Sequence, residues 1–94
     1  MSDILRIVSA EPVIHGVLKI VWNDGYEGVV DLRHLLAIGK VYTLLRDPEF
    51  FKSVCVEEYG HAIEWRTPEG EEIDFGADSL QELARKQAQL LLAS

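Results

Sequence analysis

LLRDPEFFKSVCVEEYGHAIEW, residues 44–65, is the stretch whose reading decides the fold. Asp47-Pro48-Glu49 within it marks a helix start. The Asp carboxylate can accept a hydrogen bond from a first-turn amide, and Pro48 sits where a missing N–H costs nothing. Glu49 suits the positive end of the helix dipole. Phe50 and Phe51 then supply a concentrated apolar load, with Leu44 and Leu45 just upstream. The period changes to two at Val54-Cys55-Val56-Glu57, so the chain leaves as a strand and returns through Ala62-Ile63-Glu64-Trp65. A two-residue Tyr59-Gly60 turn pairs Val56 with Ile63 and Val54 with Trp65, giving one wholly apolar face. Cys55, Glu57, Ala62 and Glu64 then share the other face. A three-residue loop would oppose Val54 to Glu64, so the two-residue turn is preferred.

Upstream, Ile4 to Ser9 reads as a first strand ended by Glu11-Pro12, because proline cannot donate to a ladder. His15-Gly16 closes the connection to a second strand, Val17 to Trp22, and Tyr26 to Leu32 follows as a third. A three-residue Asn23-Asp24-Gly25 loop opposes Trp22 to Tyr26, Ile20 to Gly28 and Leu18 to Val30. One face is then apolar throughout, with Gly28 leaving room beneath large neighbours and Gly25 left-handed in a bulge. Asp31 can cap a short helix carrying Leu32, Leu35 and Leu36 and ending near Gly39. Val41 to Arg46 forms a further helical turn.

Downstream, Thr67-Pro68-Glu69-Gly70 is a turn cluster. Glu71 to Phe75 alternates, with Ile73 and Phe75 able to face Trp65 and Ile63. Ser79-Leu80-Gln81-Glu82 reads as a capping box that opens a terminal helix over about 79–92. Leu80, Leu83, Ala84, Gln87, Leu90 and Leu91 form its apolar stripe, widened by Ala88 and Leu92. Packing on the domain's own sheet accounts for this stripe. Sharing its end with a second copy, through Leu83, Gln87, Leu90 and Leu91, is the alternative. The expected architecture is α+β: an antiparallel sheet from two hairpins plus an N-terminal strand, short central helices, and an amphipathic C-terminal helix on the sheet.

Ninety-four residues suit one domain, 1–94, with its own core. An apolar share of 48% and a mean hydropathy of +0.04 are those of a globular chain, and no run approaches a membrane span. Met1-Ser2-Asp3 lacks the basic and apolar regions of a signal peptide, and one cysteine excludes an internal disulfide. A cytoplasmic setting is therefore expected. Residues 57–82 hold nine acidic side chains against Arg66 alone, a local net charge of −8 within an overall −7. Such a surface repels phosphate backbones, so direct nucleic-acid binding is not expected. A solvated hairpin face accounts for the acidity, and docking to a basic partner surface is the sharper alternative.

Chemistry-bearing residues are sparse. Histidines at 15, 34 and 61 lack metal-ligand spacing, so neither a metal nor a cofactor is expected. Cys55 with His34 or His61 could supply a nucleophile and base, with Asp31 as a further actor. The register, however, surrounds Cys55 with carboxylates, which disfavour a thiolate. Trp22, Tyr26 and Trp65 are amphipathic aromatics that can anchor ligands, but each falls on an inward hairpin face. Arg46 beside the capping Asp47 is expected to lie over the acidic hairpin.

Assembled, these residues resemble the Domain of Unknown Function family 2442, a family of small bacterial proteins. The matching positions are Asp24-Gly25 with Gly28, Val30, Asp31 and Leu32, then Leu45-Arg46-Asp47-Pro48 with Phe51 and Val54. Ile63, Trp65, Asp74 and Leu80 follow, so the likeness spans about residues 4–80. The Arg46-Asp47-Pro48-x-x-Phe51 segment is its most specific part. This chain departs from the family pattern by inserting Arg66 to Glu72 after the Trp. The resemblance implies a compact α+β domain without catalytic residues, found alone or fused to a helix-turn-helix and often in toxin–antitoxin-like arrangements. No DNA-binding role is expected to carry over, since residues 1–94 are read as a single domain without a helix-turn-helix partner. The function expected is a non-enzymatic protein-interaction or regulatory module, of the toxin–antitoxin accessory type. The alternative is a small-molecule-binding or enzymatic domain using Cys55 and His34.

Overall fold

The computed structural model describes residues 4–38 and 40–93, with the side chains of all of these except 40–42 and 91–93. Among the described residues six strands and three α-helices succeed one another in an α+β arrangement. β1 (Ile7–Ile14), β2 (Val17–Trp22) and β3 (Glu27–Asp31) form one antiparallel sheet in sequence order. α1 (Arg33–Ile38), a 3-10 helix (Lys40–Arg46) and α2 (Pro48–Phe51) follow. β4 (Cys55–Val56), β5 (Ala62–Arg66) and β6 (Glu72–Gly76) make a second antiparallel sheet, and α3 (Ala77–Ala93) completes the chain. No helix among the described residues is long and apolar enough to cross a membrane. Gly39, the expected end of the first helix, lies outside the described residues.

Both expected hairpin registers hold. Leu18 faces Val30 and Ile20 faces Gly28, while Trp22 N–H donates to Tyr26 O at 2.9 Å across a three-residue loop with Gly25 at φ +89°. Val56 faces Ile63, and Trp65 faces Ile73 with Ile63 against Phe75. These pairings send Leu18, Ile20, Trp22, Ile63 and Trp65 inward, each almost wholly buried in one core with Phe51, Leu45 and Leu80. Burying one such aromatic removes roughly 150–250 Å² from water, about 4–6 kcal/mol of transfer free energy. The indoles also meet partners: Trp22 Nε1 donates to Ala77 O at 2.9 Å and Trp65 Nε1 to Phe51 O at 2.8 Å. Asp47 caps α2 by accepting from Glu49 N, with Pro48 at its first position.

The structure corrects four local expectations. β1 does not stop at Glu11-Pro12 but runs to Ile14. It is an edge strand, where a missing proline N–H takes no bond from the ladder, and its register shifts on both sides of Ser9–Pro12. The loop of the β4–β5 hairpin covers residues 58–61 rather than Tyr59-Gly60 alone. Gly60 N–H bonds Glu57 O at 2.8 Å, and Glu57 Oε1 accepts from the amides of Tyr59 and His61. Gly60 has φ +76°, and a Cβ there would stand 2.8 Å from Ile7 O. Its own carbonyl accepts from Ile7 N–H at 2.7 Å, so this turn is where the two sheets touch.

α3 begins at Ala77, not behind a Ser79 cap, so the capping box does not form. β6 pairs with β5 through Gly76, and Ala77 N–H donates to His61 O at 2.8 Å. The chain thus enters the helix directly from the strand, and tertiary bonds fix its start. Arg46 does not lie over the acidic hairpin. Its guanidinium donates to the carbonyls of Leu36 at 2.8 Å and Ala37 at 3.2 Å, acceptors at the end of α1 that the helix leaves unpaired.

Candidate functional site

The residues with chemical potential are dispersed. Cys55 lies exposed on β4, its Sγ 3.5 Å from Glu64 O. His34 stands exposed on α1, beside the first sheet. Among the described residues no hydrogen bond or ion pair joins Cys55 to His34, His61 or Asp31. His15 Nε2 lies 2.8 Å from Leu45 O, with its ring edge-on to Phe51, and His61 lies 3.8 Å from Glu57. Among the described residues no group of three His, Cys, Asp or Glu side chains could hold a metal ion. A hollow of about 310 Å³ gathers His15, Arg33 and Arg46, but the first and last already bond backbone carbonyls. Arg33 is fastened to Asp31 by two bonds, at 3.0 and 2.7 Å.

What the fold does build is a groove of about 730 Å³ between β3 and α3. Val29 and Ile14 from the first sheet and Ala84, Ala88 and Leu90 from α3 give it an apolar lining, with Tyr26 at one end. Val29 is 53% exposed and Leu90 71%. α3 comes this close because of Gly28: a Cβ there would stand 3.1 Å from the Cβ of Ala84 and from the Tyr26 ring. Arg85 lies over that ring at 4.1 Å, and Gln81 bonds Asp24 at 3.1 Å. At the opposite end Gln87 bonds the backbone of Asp31 twice, accepting from its N–H and donating to its carbonyl, both at 2.9 Å.

Two carboxylates in and beside the groove are held by local bonds. Arg33, by hydrogen-bonding the Asp31 carboxylate, holds that carboxyl below the ordinary carboxylate value. The Tyr26 amide does the same for Asp24. Both groups therefore stay ionised at neutral pH.

Of the three described side chains expected on an interaction surface, Leu90 alone is exposed. Leu83 is half-buried against the core and Gln87 is engaged with β3. The Leu91 side chain lies outside those described. Asp24, Gly25, Gly28, Asp31, Asp47, Pro48, Phe51 and Trp65 serve turns, caps and core, and Arg46 a helix end. The groove residues Ile14 and Val29 escape the sequence reading, while Ala88 reads only as part of the helix's apolar stripe. Val29 looks like any outer position of a half-buried strand, and only its place on the last strand of the sheet marks it. Compared with protein-family models, with curated proteins and with solved structures, the chain finds no match.

Proposed function

We propose that this chain is a non-enzymatic protein-interaction or regulatory module acting in the cytoplasm. In keeping with its resemblance to the Domain of Unknown Function family 2442, it would serve as the accessory or neutralising member of a small bacterial protein pair. The observation that carries this reading is the groove between β3 and α3. It is open, apolar and of ligand-accepting size, yet the Asp31, Arg33 and Gln87 side chains along it are already engaged in hydrogen bonds. A surface of that kind offers contact area and desolvation, which is how protein partners are held. It offers no converging acid, base or nucleophile for a reaction.

The test is co-purification of the tagged protein from its native host, with Leu90→Asp alongside. A stoichiometric second protein recovered with the parent chain and lost with the variant is the expected result. A parent chain that recovers no stoichiometric protein overturns the reading.

A further inference from the structure

The hydrogen-bonding parity of the first sheet leaves part of one strand edge open. Trp22 N–H donates to Tyr26 O, and Leu32 N–H donates to Gly16 O at 2.8 Å. Tyr26, Gly28, Val30 and Leu32 thus turn their backbone groups toward β2, and Glu27, Val29 and Asp31 aim theirs off the sheet. At Asp31 both groups are taken by the carboxamide of Gln87, which carries the same donor and acceptor as a peptide unit. The side chain stands where a fourth strand would run. At Glu27 and Val29 no backbone N–H or C=O has a partner among the described residues.

The other long edges are guarded. β1 carries Pro12 and two register shifts, and β6 carries Glu72 and Asp74. β3 has no proline and no register shift along its open part, where Glu27 is the one charged side chain, and the small side chains of Ala84 and Ala88 leave space beside it.

We infer that this edge joins two copies of the chain. Glu27 and Val29 of one copy pair antiparallel with Val29 and Glu27 of the other, about a two-fold axis through Gly28. Hydrogen-bonded pairs in an antiparallel ladder recur every second residue, so an open segment of two such residues is complementary to itself. Four N–H···O=C bonds form, the two three-stranded sheets become one of six, and Gln87 of each copy ends the ladder.

Exposed area supports a second copy as the occupant. The chain exposes 6317 Å² at 10.6 kDa, where a folded monomer of that mass exposes about 5,500 Å². A standard interface asks about 800 Å² of each partner, which a surface of this extent can supply. The outline agrees: 39 × 36 × 19 Å is a slab with broad faces. The acidic excess of residues 57–82 lies elsewhere in the chain, and Arg85 stands over Tyr26 near the Glu27 of its own copy.

This edge lines the same groove as the interaction-module reading, so a second copy there competes with a foreign partner, and sedimentation velocity over a concentration series tests the dimer by itself. The expected result is a reversible monomer–dimer equilibrium that Val29→Pro abolishes. Proline removes only an N–H that points off the sheet, and edge strands accept it. Circular dichroism checks that the variant is folded. If it is not, hydrogen exchange on the parent chain decides: the Glu27 and Val29 amides should exchange at least tenfold more slowly at the concentrations where dimer forms. A parent chain that stays monomeric overturns the inference, even if it recovers a foreign partner. So does a dimer unaffected by Val29→Pro, or one whose Glu27 and Val29 amides gain no protection.

Discussion

Gln87 closes with one side chain what a neighbouring strand would close with a peptide unit. Replacing it by Leu keeps the volume but leaves Asp31 N–H and C=O without their partners in a half-buried place. A loss of about 1–3 kcal/mol is expected, read as a lower urea midpoint with an unchanged slope. Asp31 itself sets a pH dependence. Hydrogen bonds from Arg33 lower its folded-state pKa beneath the unfolded one. Its contribution is therefore complete at neutral pH and is lost as pH falls through the folded value. Asp31→Asn should show a shallower decline of the urea midpoint than the parent chain as pH falls below the ordinary carboxylate value. An acid limb identical in the two proteins would remove the pair from the account. The Asp31 cap was legible because Asp carries its acceptor locally, to Arg33 N at 3.0 Å. The Gln87 bonds were not, since they join residues 56 positions apart.

Among elements, hairpins were the most readable, because a one-residue slip exchanges apolar and polar faces wholesale. Trp22, Ile20 and Leu18 admit one register opposite Tyr26, Gly28 and Val30, and the chain adopts it. Helix ends were less readable. Ser79 and Glu82 make a good local start, but Ala77 is buried with its N–H on His61 and its carbonyl under the Trp22 indole, and these distant partners prevail. Arg46 was misplaced for a similar reason: the carbonyls at the end of α1 are nearer acceptors than the acidic hairpin. The contact of α3 with β3 gives a prediction at this scale. Gly28→Ala puts a methyl group 3.1 Å from Ala84 Cβ and should cost about 1–3 kcal/mol. Ala84→Gly alone should cost about 1 kcal/mol of helix propensity. The double variant should be more stable than the sum of the two losses predicts, with a coupling of about 0.5 kcal/mol or more; simple additivity would show that the helix moves away freely.

For the whole molecule, the α+β class followed from the run of periods along the chain, but the grouping of strands did not. Each hairpin has one apolar face, and nothing in that pattern says whether two such faces line one sheet or two. Here they line two, meeting at Ile7 and Gly60 around a shared core. The groove was equally hidden. Val29, Ala84 and Ala88 are unremarkable letters, and their importance comes from Gly28 drawing α3 toward an edge strand.

Because each sheet is a meander of consecutive strands, the pairings are short-range in sequence, and topology of that kind folds quickly. Each sheet also holds a single tryptophan. Stopped-flow fluorescence of Trp22→Phe and Trp65→Phe therefore follows the two meanders one at a time. Since the Trp22 indole reaches Ala77 beyond the last strand, neither meander is finished without the other, and the two traces should relax with one rate constant at matched stability. Separate rates would reveal a chain that assembles in two acts.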